Sequence, residues 1–273
     1  MSAVEPFRVI EPTGRARPLV ITVPHSGTKI PADLAKHMAS HLAANPPDTD
    51  WLVDELYGFA KDMGVTMIVA PLSRYVIDLN RDPSGMSLYA DGRDETALVP
   101  MRTFGGEAIY PSAPPDKAQI NDRLEKYFWP WYRCVTKALE SLRAQFGHVL
   151  MFDAHSIARL VPSIRPGPFP DMILGSRDAK SAHPELITTA LNELKSSGRW
   201  SIAHNDPFKG GYMTRSFGKP ETGIHALQLE MSQDVYMRTV AGRPMLDDSK
   251  IVELRETLSR VIDRLALRVE AGL

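Results

Sequence analysis

The chain has 273 residues, of which 43% are apolar and 24% charged, and its formal net charge is -1. This composition is typical of a globular protein with a sizeable core, and it lacks the basic excess of nucleic-acid-binding proteins, so a small-molecule partner is expected. The single cysteine, Cys134, excludes a disulfide framework and a thiolate metal cluster, and it fits a reducing compartment.

The hydropathy of the sequence indicates whether the protein is exported or embedded in a membrane. Residues 1–18 contain no apolar h-region, and no stretch approaches the roughly 18 consecutive apolar residues that a membrane-spanning helix needs. We therefore expect a cytoplasmic protein that acts without a membrane. Because no repeat or linker divides the sequence, residues 1–273 are expected to form one domain.

Strands and helices alternate in the first part of the chain. The β-branched apolar run PLVITVP predicts a buried strand that ends just before His25. In the DTDW segment, Asp48 or Thr49 can cap a helix that ends at Gly64. The other elements predicted before residue 82 are a helix over 31–44 and strands over 65–70 and 74–79.

A long loop over 82–115, rich in glycine, proline and aspartate, precedes the second part, and such loops are often functional. The helical pattern over 116–146 is bent or interrupted at Pro130. The next strand, VLMFDAH, ends at His155. The remaining predicted elements are strands over 172–176, 199–204 and 224–231 and helices over 184–197 and 248–270.

Strands that alternate with helices predict a largely parallel sheet covered by helices on both faces, with ligands bound at the carboxyl ends of the strands. His25 in PHSG and His155 in DAHS lie at such ends, although two strand-end histidines solvated at turns would look the same. Asp153 is placed to orient a metal ligand at His155. A catalytic zinc needs a third ligand, often a carboxylate. Candidates near the predicted helix start are Asp48, Asp50, Asp54 and Glu55.

Cationic residues surround the predicted strand in SRYVIDLNRDP. Arg74 precedes it, and Asn80 and Arg81 follow it, which suits an anionic substrate because guanidinium groups bind carboxylates in a bidentate manner. The alternative is an ion-pair network between these arginines and the neighbouring aspartates.

Two later segments carry further polar groups. In IHALQLEM the strand alternation places Glu230 on the polar face, where a carboxylate beside a metal can act as a general base; a solvated edge-strand glutamate is the alternative. FKGGYMTR contains a Gly-Gly turn, the aromatic Tyr212 and the cation Arg215, a pattern that resembles a substrate-covering loop.

Taken together, six segments in this order resemble the N-formylglutamate amidohydrolase family over about residues 20–237: VPHSG, DTDW, SRYVIDLNR, FDAHS, FKGGYMTR and HALQLEM. This family is similar in fold to zinc carboxypeptidases and aspartoacylases. The resemblance therefore implies a phosphorylase/hydrolase-like three-layer α/β/α domain around a mixed, largely parallel sheet.

The resemblance implies a zinc-dependent amide hydrolase that converts N-formyl-L-glutamate to formate and L-glutamate, a reaction of histidine catabolism. One zinc, or another divalent ion, would be held by His25, Asp50 and His155. Carboxypeptidase-like relatives usually place a glutamate three residues after the first histidine, but Thr28 stands there. Asp54 is therefore the second choice for the third ligand.

The resemblance also assigns roles around the metal. Glu230 is the expected general base, and Arg74 is the expected partner of the developing oxyanion. The residues expected to bind the substrate are Asn80, Arg81, Tyr212 and Arg215.

Two alternatives stay open at this point. The first is a zinc hydrolase of another N-acyl amino acid or a short peptide, which substrate profiling would separate. The second is a non-catalytic protein of the same fold that binds a small molecule, which would show no zinc-dependent turnover. The acyl group and the oligomeric state are not predicted by the sequence.

Overall fold

The centre of the molecule is a mixed sheet. A computed structural model describes residues 5–88 and 95–273, and its sheet has seven strands: β1 (Arg8–Ile10), β2 (Leu19–Val23), β3 (Thr66–Val69), β4 (Val149–Ile157), β5 (Met172–Gly175), β6 (Ile202–His204) and β7 (Ile224–Ser232). Their order is β1-β3-β2-β4-β7-β5-β6. β1 runs antiparallel to β3 and β5 antiparallel to β7, while the other neighbours are parallel.

The helices form layers on both faces of this sheet. They are α1 (Ala32–Ala35), α2 (Ser40–Ala44), α3 (Val53–Leu56), α4 (Lys117–Arg123), α5 (Trp129–Phe146), α6 (Pro184–Lys195), α7 (Tyr212–Phe217) and α8 (Asp248–Glu270). Apolar residues of α3, α6 and α8 pack on one face of the sheet, and those of α2, α5 and α7 pack on the other. The predicted three-layer α/β/α architecture with a mixed, largely parallel sheet is thereby confirmed.

Four of the labelled elements were not predicted. They are β1, helix α7, and a separate antiparallel hairpin of β8 (Met237–Val240) and β9 (Arg243–Leu246). In addition, the helix predicted over 31–44 is divided into α1 and α2. Within the described part of the chain, no helix combines the length and the hydrophobicity needed to cross a bilayer.

The strand predicted over 74–79 is wrong, because these residues form turns. Their apolar side chains are buried under the α5 layer. This burial explains why the sequence is apolar here although the segment does not pair as a strand. Asp78 closes the turn, since its Oδ1 accepts a hydrogen bond of 2.9 Å from Asn80 N.

The helix predicted from DTDW begins later than its candidate caps. Leu52, with φ of 62°, precedes α3, and neither Asp48 nor Thr49 caps a helix. Asp48 instead accepts hydrogen bonds from Tyr75 and Phe104. A 3-10 helix over Gly58–Met63 follows α3 and ends at Gly64, as predicted, with φ of 82°.

The long helical pattern is interrupted as predicted. A π-helical segment, Leu124–Phe128, separates α4 from α5, and Pro130 lies in the first turn of α5. The described part of the loop predicted over 82–115 contains no helix and only an isolated bridge between Arg102 and Ala108. Residues 89–94 of this prediction lie outside the described residues.

Candidate functional site

The carboxyl ends of three neighbouring parallel strands carry the polar groups of the site. His25 lies two residues beyond the end of β2, His155 lies near the end of β4, and Glu230 lies near the end of β7. His155 and Glu230 are register partners. Because alternate residues of a strand face the same side, His155 and Glu230 lie on the face covered by α5 and α7, as Met151 and Ala226 do.

The two imidazoles are held by aspartates. Nε2 of His25 lies 2.8 Å from Asp78 Oδ1, and Nε2 of His155 lies 2.9 Å from Asp153 Oδ2. The hydroxyl of Thr22 donates to the other oxygen of Asp153 at 2.8 Å. Since each Nε2 is engaged by an aspartate, Nδ1 is the ring nitrogen of each histidine that can make a further contact.

Asp50 lies where both Nδ1 atoms point. Its Oδ2 is 3.0 Å from Nδ1 of His155 and 3.8 Å from Nδ1 of His25, and it accepts a hydrogen bond from the backbone N of Ser156. Its Oδ1 accepts a hydrogen bond of 2.6 Å from Nη2 of Arg74. The carboxylate is therefore fixed from both sides.

This arrangement fits a metal ion. The potential ligand atoms of His25, Asp50 and His155 all lie within 4.8 Å of one another. Nδ1 of His25 is buried and has no hydrogen-bond partner among the described residues, and a buried polar atom of this kind calls for a ligand. Aspartates behind both imidazoles are typical of metal sites, where they fix the tautomer. Asp54 lies elsewhere and pairs with Arg8 at 2.9 Å.

Burial and charge act differently on the two histidines. Burial, assisted by Arg74, lowers the pKa of His25. Burial also acts to lower the pKa of His155, but Asp153 and Asp50 outweigh it and raise that pKa well above its usual value. Because metal ligation needs a neutral imidazole, binding of a cation would release the proton of His155.

Glu230 has the properties of a proton-transfer group. It is 9% exposed, and burial raises its pKa to about 8. Its Oε2 lies 3.4 Å from Nε2 of Gln228, and Oε1 of Gln228 accepts a hydrogen bond of 2.8 Å from Gly211 N. A carboxyl group with a pKa near neutrality is suited both to accept and to return a proton.

A cavity of about 770 Å³ opens in front of these groups. Its walls include Phe104, Ile157 and Phe208. The predicted site residues that line it are His25, Arg74, Asn80, Arg81, His155 and Glu230. The structure therefore brings most of the predicted residues to one place.

Asn80 is committed to contacts within the protein. Its Nδ2 donates to Asp153 at 3.4 Å and lies 3.1 Å from Nε2 of His155, while its Oδ1 accepts a hydrogen bond of 2.8 Å from Met213 N. A Cβ at Gly211 would lie 2.4 Å from Nδ2 of Asn80, so glycine is needed for this close approach. Asn80 thus joins α7 to the histidine pair.

Tyr212 and Arg215 do not line the cavity that the described residues form. The segment expected to be a covering loop forms helix α7. The ring of Tyr212 packs against Tyr132 with centroids 5.8 Å apart, and Nε of Arg215 donates to Gly210 O at 3.0 Å. Their contact with the substrate stays a prediction.

Several residues of the site received no role from the sequence. The alternation of β7 already places Gln228 beside Glu230, so a signal for it existed. Asp78 was visible only as a possible ion-pair partner. No signal identified Arg102, which reaches the cavity from the long loop.

Comparisons with known proteins agree with the resemblance. The family model described as N-formylglutamate amidohydrolase matches residues 17–237. The chain is 36% identical over 221 residues to N-formylglutamate deformylase of Pseudomonas putida, covering 81% of this chain and 82% of that protein. It is 34% identical over 249 residues to N-formylglutamate deformylase of Pseudomonas aeruginosa, covering 90% and 92%.

Solved structures show the same fold. The crystal structure of N-formylglutamate amidohydrolase from Ralstonia eutropha JMP134 superposes with a TM-score of 0.81 at 27% identity, covering 99% of this chain and 100% of that one. A gene product of Agrobacterium tumefaciens superposes with a TM-score of 0.75 at 13% identity, covering 98% and 97%.

Proposed function

The chain belongs to the N-formylglutamate amidohydrolase family, and on this basis we propose that it is a zinc-dependent enzyme that hydrolyses N-formyl-L-glutamate to formate and L-glutamate. The observation that carries the metal dependence is the buried, unpartnered Nδ1 of His25, which points to the same place as Nδ1 of His155. A cytoplasmic location and a part in histidine catabolism belong to the same proposal.

His25, Asp50 and His155 would hold the ion. Two imidazoles and one carboxylate are a donor set that zinc accepts in catalytic sites, and other divalent ions bind similar sets. When bound, the ion supplies Lewis acidity towards water and the formyl oxygen. Asp78 and Asp153 would fix the two imidazoles from behind, as they do in the structure.

Glu230 is the proposed general base. It lines the cavity, and its register partner across the sheet is the proposed ligand His155. We assign it two successive steps: it takes a proton from the attacking water, and it delivers that proton to the departing nitrogen of glutamate. Its raised pKa supports both steps, because the carboxyl group exchanges protons near neutral pH.

Two arginines complete the proposed machinery. Arg74 lines the cavity beside the proposed ligands and would stabilise the oxyanion that develops on the formyl oxygen. Arg81 would bind a carboxylate of the substrate. Asn80, whose amide is engaged by Met213 and Asp153, would position this arginine and His155.

The proposal is tested by formate release and metal analysis on the wild type and two variants. We expect the wild type to release formate from N-formyl-L-glutamate and to lose this activity on chelation. Glu230→Gln should keep its zinc and lose kcat by roughly 10²- to 10⁴-fold, whereas Asp50→Asn should lose zinc. Glu256→Gln, at the exposed surface of α8, is the matched control.

Four results would count against the proposal as stated. Undiminished turnover in Glu230→Gln would remove the assigned base. Turnover by a protein that carries no metal would remove the zinc dependence. Preference for another N-acyl amino acid or a short peptide would keep the chemistry but change the substrate, and absence of turnover with all of them would indicate a non-catalytic binding protein.

A further inference from the structure

Two guanidinium groups in the cavity lack a carboxylate partner. Arg81 donates from Nε to Thr96 O at 3.0 Å and from Nη1 to Asn80 O at 3.2 Å. Arg102 donates from Nη1 to Gly106 O at 2.9 Å. Neither forms an ion pair with any residue of 5–88 or 95–273, and both line the cavity.

Arg74, the third arginine of the cavity, differs from these two. Its guanidinium lies 2.6 Å from a carboxylate oxygen of Asp50 and 3.6 Å from one of Asp78, so its charge is balanced within the protein. Backbone carbonyls, by contrast, orient Arg81 and Arg102. The charge of Arg81 lowers the pKa of Asp78, but the two side chains form no ion pair. Two oriented guanidinium groups that form no ion pair with the described residues, both in one cavity, call for a ligand with two anionic groups.

The segment that carries Arg102 is well anchored. Met101 O accepts a hydrogen bond from Ile109 N at 2.9 Å, which closes the loop. At its tip, Phe104 N donates to Oδ2 of Asp48 at 2.9 Å. Because Asp48 lies two residues before the proposed ligand Asp50, the position of Arg102 is fixed relative to the reacting centre.

We infer that Arg102 binds the side-chain carboxylate of the substrate, while Arg81 binds the α-carboxylate. The inference rests on the proposed function and names the residue that would make the enzyme selective for a dicarboxylic substrate. In N-formylglutamate the α-carboxylate is separated from the formyl carbon by fewer bonds than the side-chain carboxylate. Arg81 directly follows Asn80, which contacts the proposed ligand His155. We therefore assign the carboxylate nearer to the formyl group to Arg81 and the carboxylate farther from it to Arg102.

A negative charge also lines the cavity. Glu95 accepts hydrogen bonds from the hydroxyl of Ser87 and, at 3.2 Å, from Leu88 N. Because Glu95 repels carboxylates, each carboxylate of the substrate is expected to bind at one of the two arginines and away from Glu95.

The test compares N-formyl-L-glutamate with N-formyl-L-glutamine, in which the side-chain carboxylate is replaced by an amide. For Arg102→Gln we expect kcat/KM to fall about 10- to 100-fold with the glutamate substrate, as for a lost charged hydrogen bond, and by less than about threefold with the glutamine substrate. Arg102→Lys should recover part of the loss. Arg238→Gln, at the exposed surface of β8, controls for removal of a positive charge.

Equal losses with both substrates, or no loss with N-formyl-L-glutamate, would overturn the inference. Calorimetric titration with the same two compounds gives a second measurement that does not need turnover. Absence of wild-type turnover would contradict the proposed function, and binding of N-formyl-L-glutamate that is weakened in Arg102→Gln would still support the inference. Binding that is the same in wild type and variant would reject it.

Discussion

The two histidines of the site differ from the other histidines of the chain in how their second nitrogen is used. In each, Nε2 contacts a fully buried aspartate, Asp78 or Asp153, while Nδ1 lies near Oδ2 of Asp50. Such aspartates orient the ring and raise its basicity. The sequence indicated Asp153 through its distance of two residues from His155, but not Asp78, which comes from a turn that was predicted to be a strand.

Asp153→Asn should weaken zinc binding by about 10- to 100-fold, because the amide keeps the shape but not the charge behind His155. Competition titration with a chromophoric chelator measures the affinity. Asp33→Asn, on the exposed surface of α1, is the control. Affinity equal to that of the wild type would show that the charge of Asp153 does not support the metal.

The sequence pattern alone does not decide whether Asp50 or Asp54 is the third ligand. In a regular helix starting at Thr49, Asp50 and Asp54 would lie four residues apart on one face and would be equivalent. The chain instead turns at Leu52, with φ of 62°, and α3 begins at Val53. Asp50 is thereby left at the histidines, while Asp54 pairs with Arg8. Nothing in the local sequence encodes that turn.

At the scale of elements, the segment that carries Asp50 is held by the residues that follow β7. Nε2 of Gln233 donates to Thr49 O at 2.9 Å, and the hydroxyl of Tyr236 donates to Trp51 O at 2.7 Å. These two carbonyls flank Asp50 on both sides. The 3-10 segment Gln233–Val235 and the residue after it therefore position the proposed third ligand.

We expect Tyr236→Phe to weaken zinc binding several-fold and to leave KM for N-formyl-L-glutamate nearly unchanged once zinc is saturating. The loss of two hydrogen bonds, with Trp51 O and with the hydroxyl of Ser156, should also lower the free energy of unfolding by about 1–3 kcal/mol. Tyr110→Phe removes a buried hydroxyl that contacts Arg123 instead and separates the two effects. If both variants bind zinc like the wild type, the hydroxyl of Tyr236 does not position Asp50.

Gly27, two residues after His25, lies where two loops approach each other closely. A Cβ at this position would lie 2.3 Å from the backbone C of Pro71. The absence of a side chain at Gly27 therefore leaves room for the backbone of Ala70 and Pro71.

Gly27→Ala should therefore lower the free energy of unfolding by about 1–3 kcal/mol, as overpacking does. Urea unfolding measures the change. Gly14→Ala is the control, because no atom lies within 4 Å of a Cβ built at Gly14. If Gly27→Ala is as stable as the control, the two loops can move apart without lowering the free energy of unfolding.

At the scale of the whole molecule, acid stability should depend on His225 at the start of β7. Burial, assisted by His148 and His183, lowers its pKa from 6.5 to about 4. The unfolded chain therefore binds more protons than the folded protein between these values. The contribution of His225 is complete above pH 6.5 and is lost as the pH falls towards 4.

We expect the wild type to lose roughly 1 kcal/mol per pH unit in this window through His225 alone. His225→Asn should show a shallower dependence in urea unfolding between pH 7 and 4.5. His37→Asn, at the surface of the chain, controls for loss of any histidine. Equal slopes for wild type and His225→Asn would contradict the assignment.

The layers of the fold followed from the sequence, but the order of the strands did not. Apolar periodicity separates the buried runs of β2, β4 and β7 from the amphipathic helices α6 and α8, and this is enough to predict helices on both faces of a sheet. It carries no information on strand direction. That β1 and β5 run against their neighbours is decided by contacts between distant segments.

The position of β7 between β4 and β5 has a consequence for biosynthesis. Both neighbours leave the ribosome before Ile224–Ser232 is made, so until then their inner edges have no pairing partner in the finished sheet. Insertion of this last strand closes the gap and at the same moment delivers Glu230 next to His155. The edges of the two strands therefore become paired, and the proposed general base reaches its place, in a single late event.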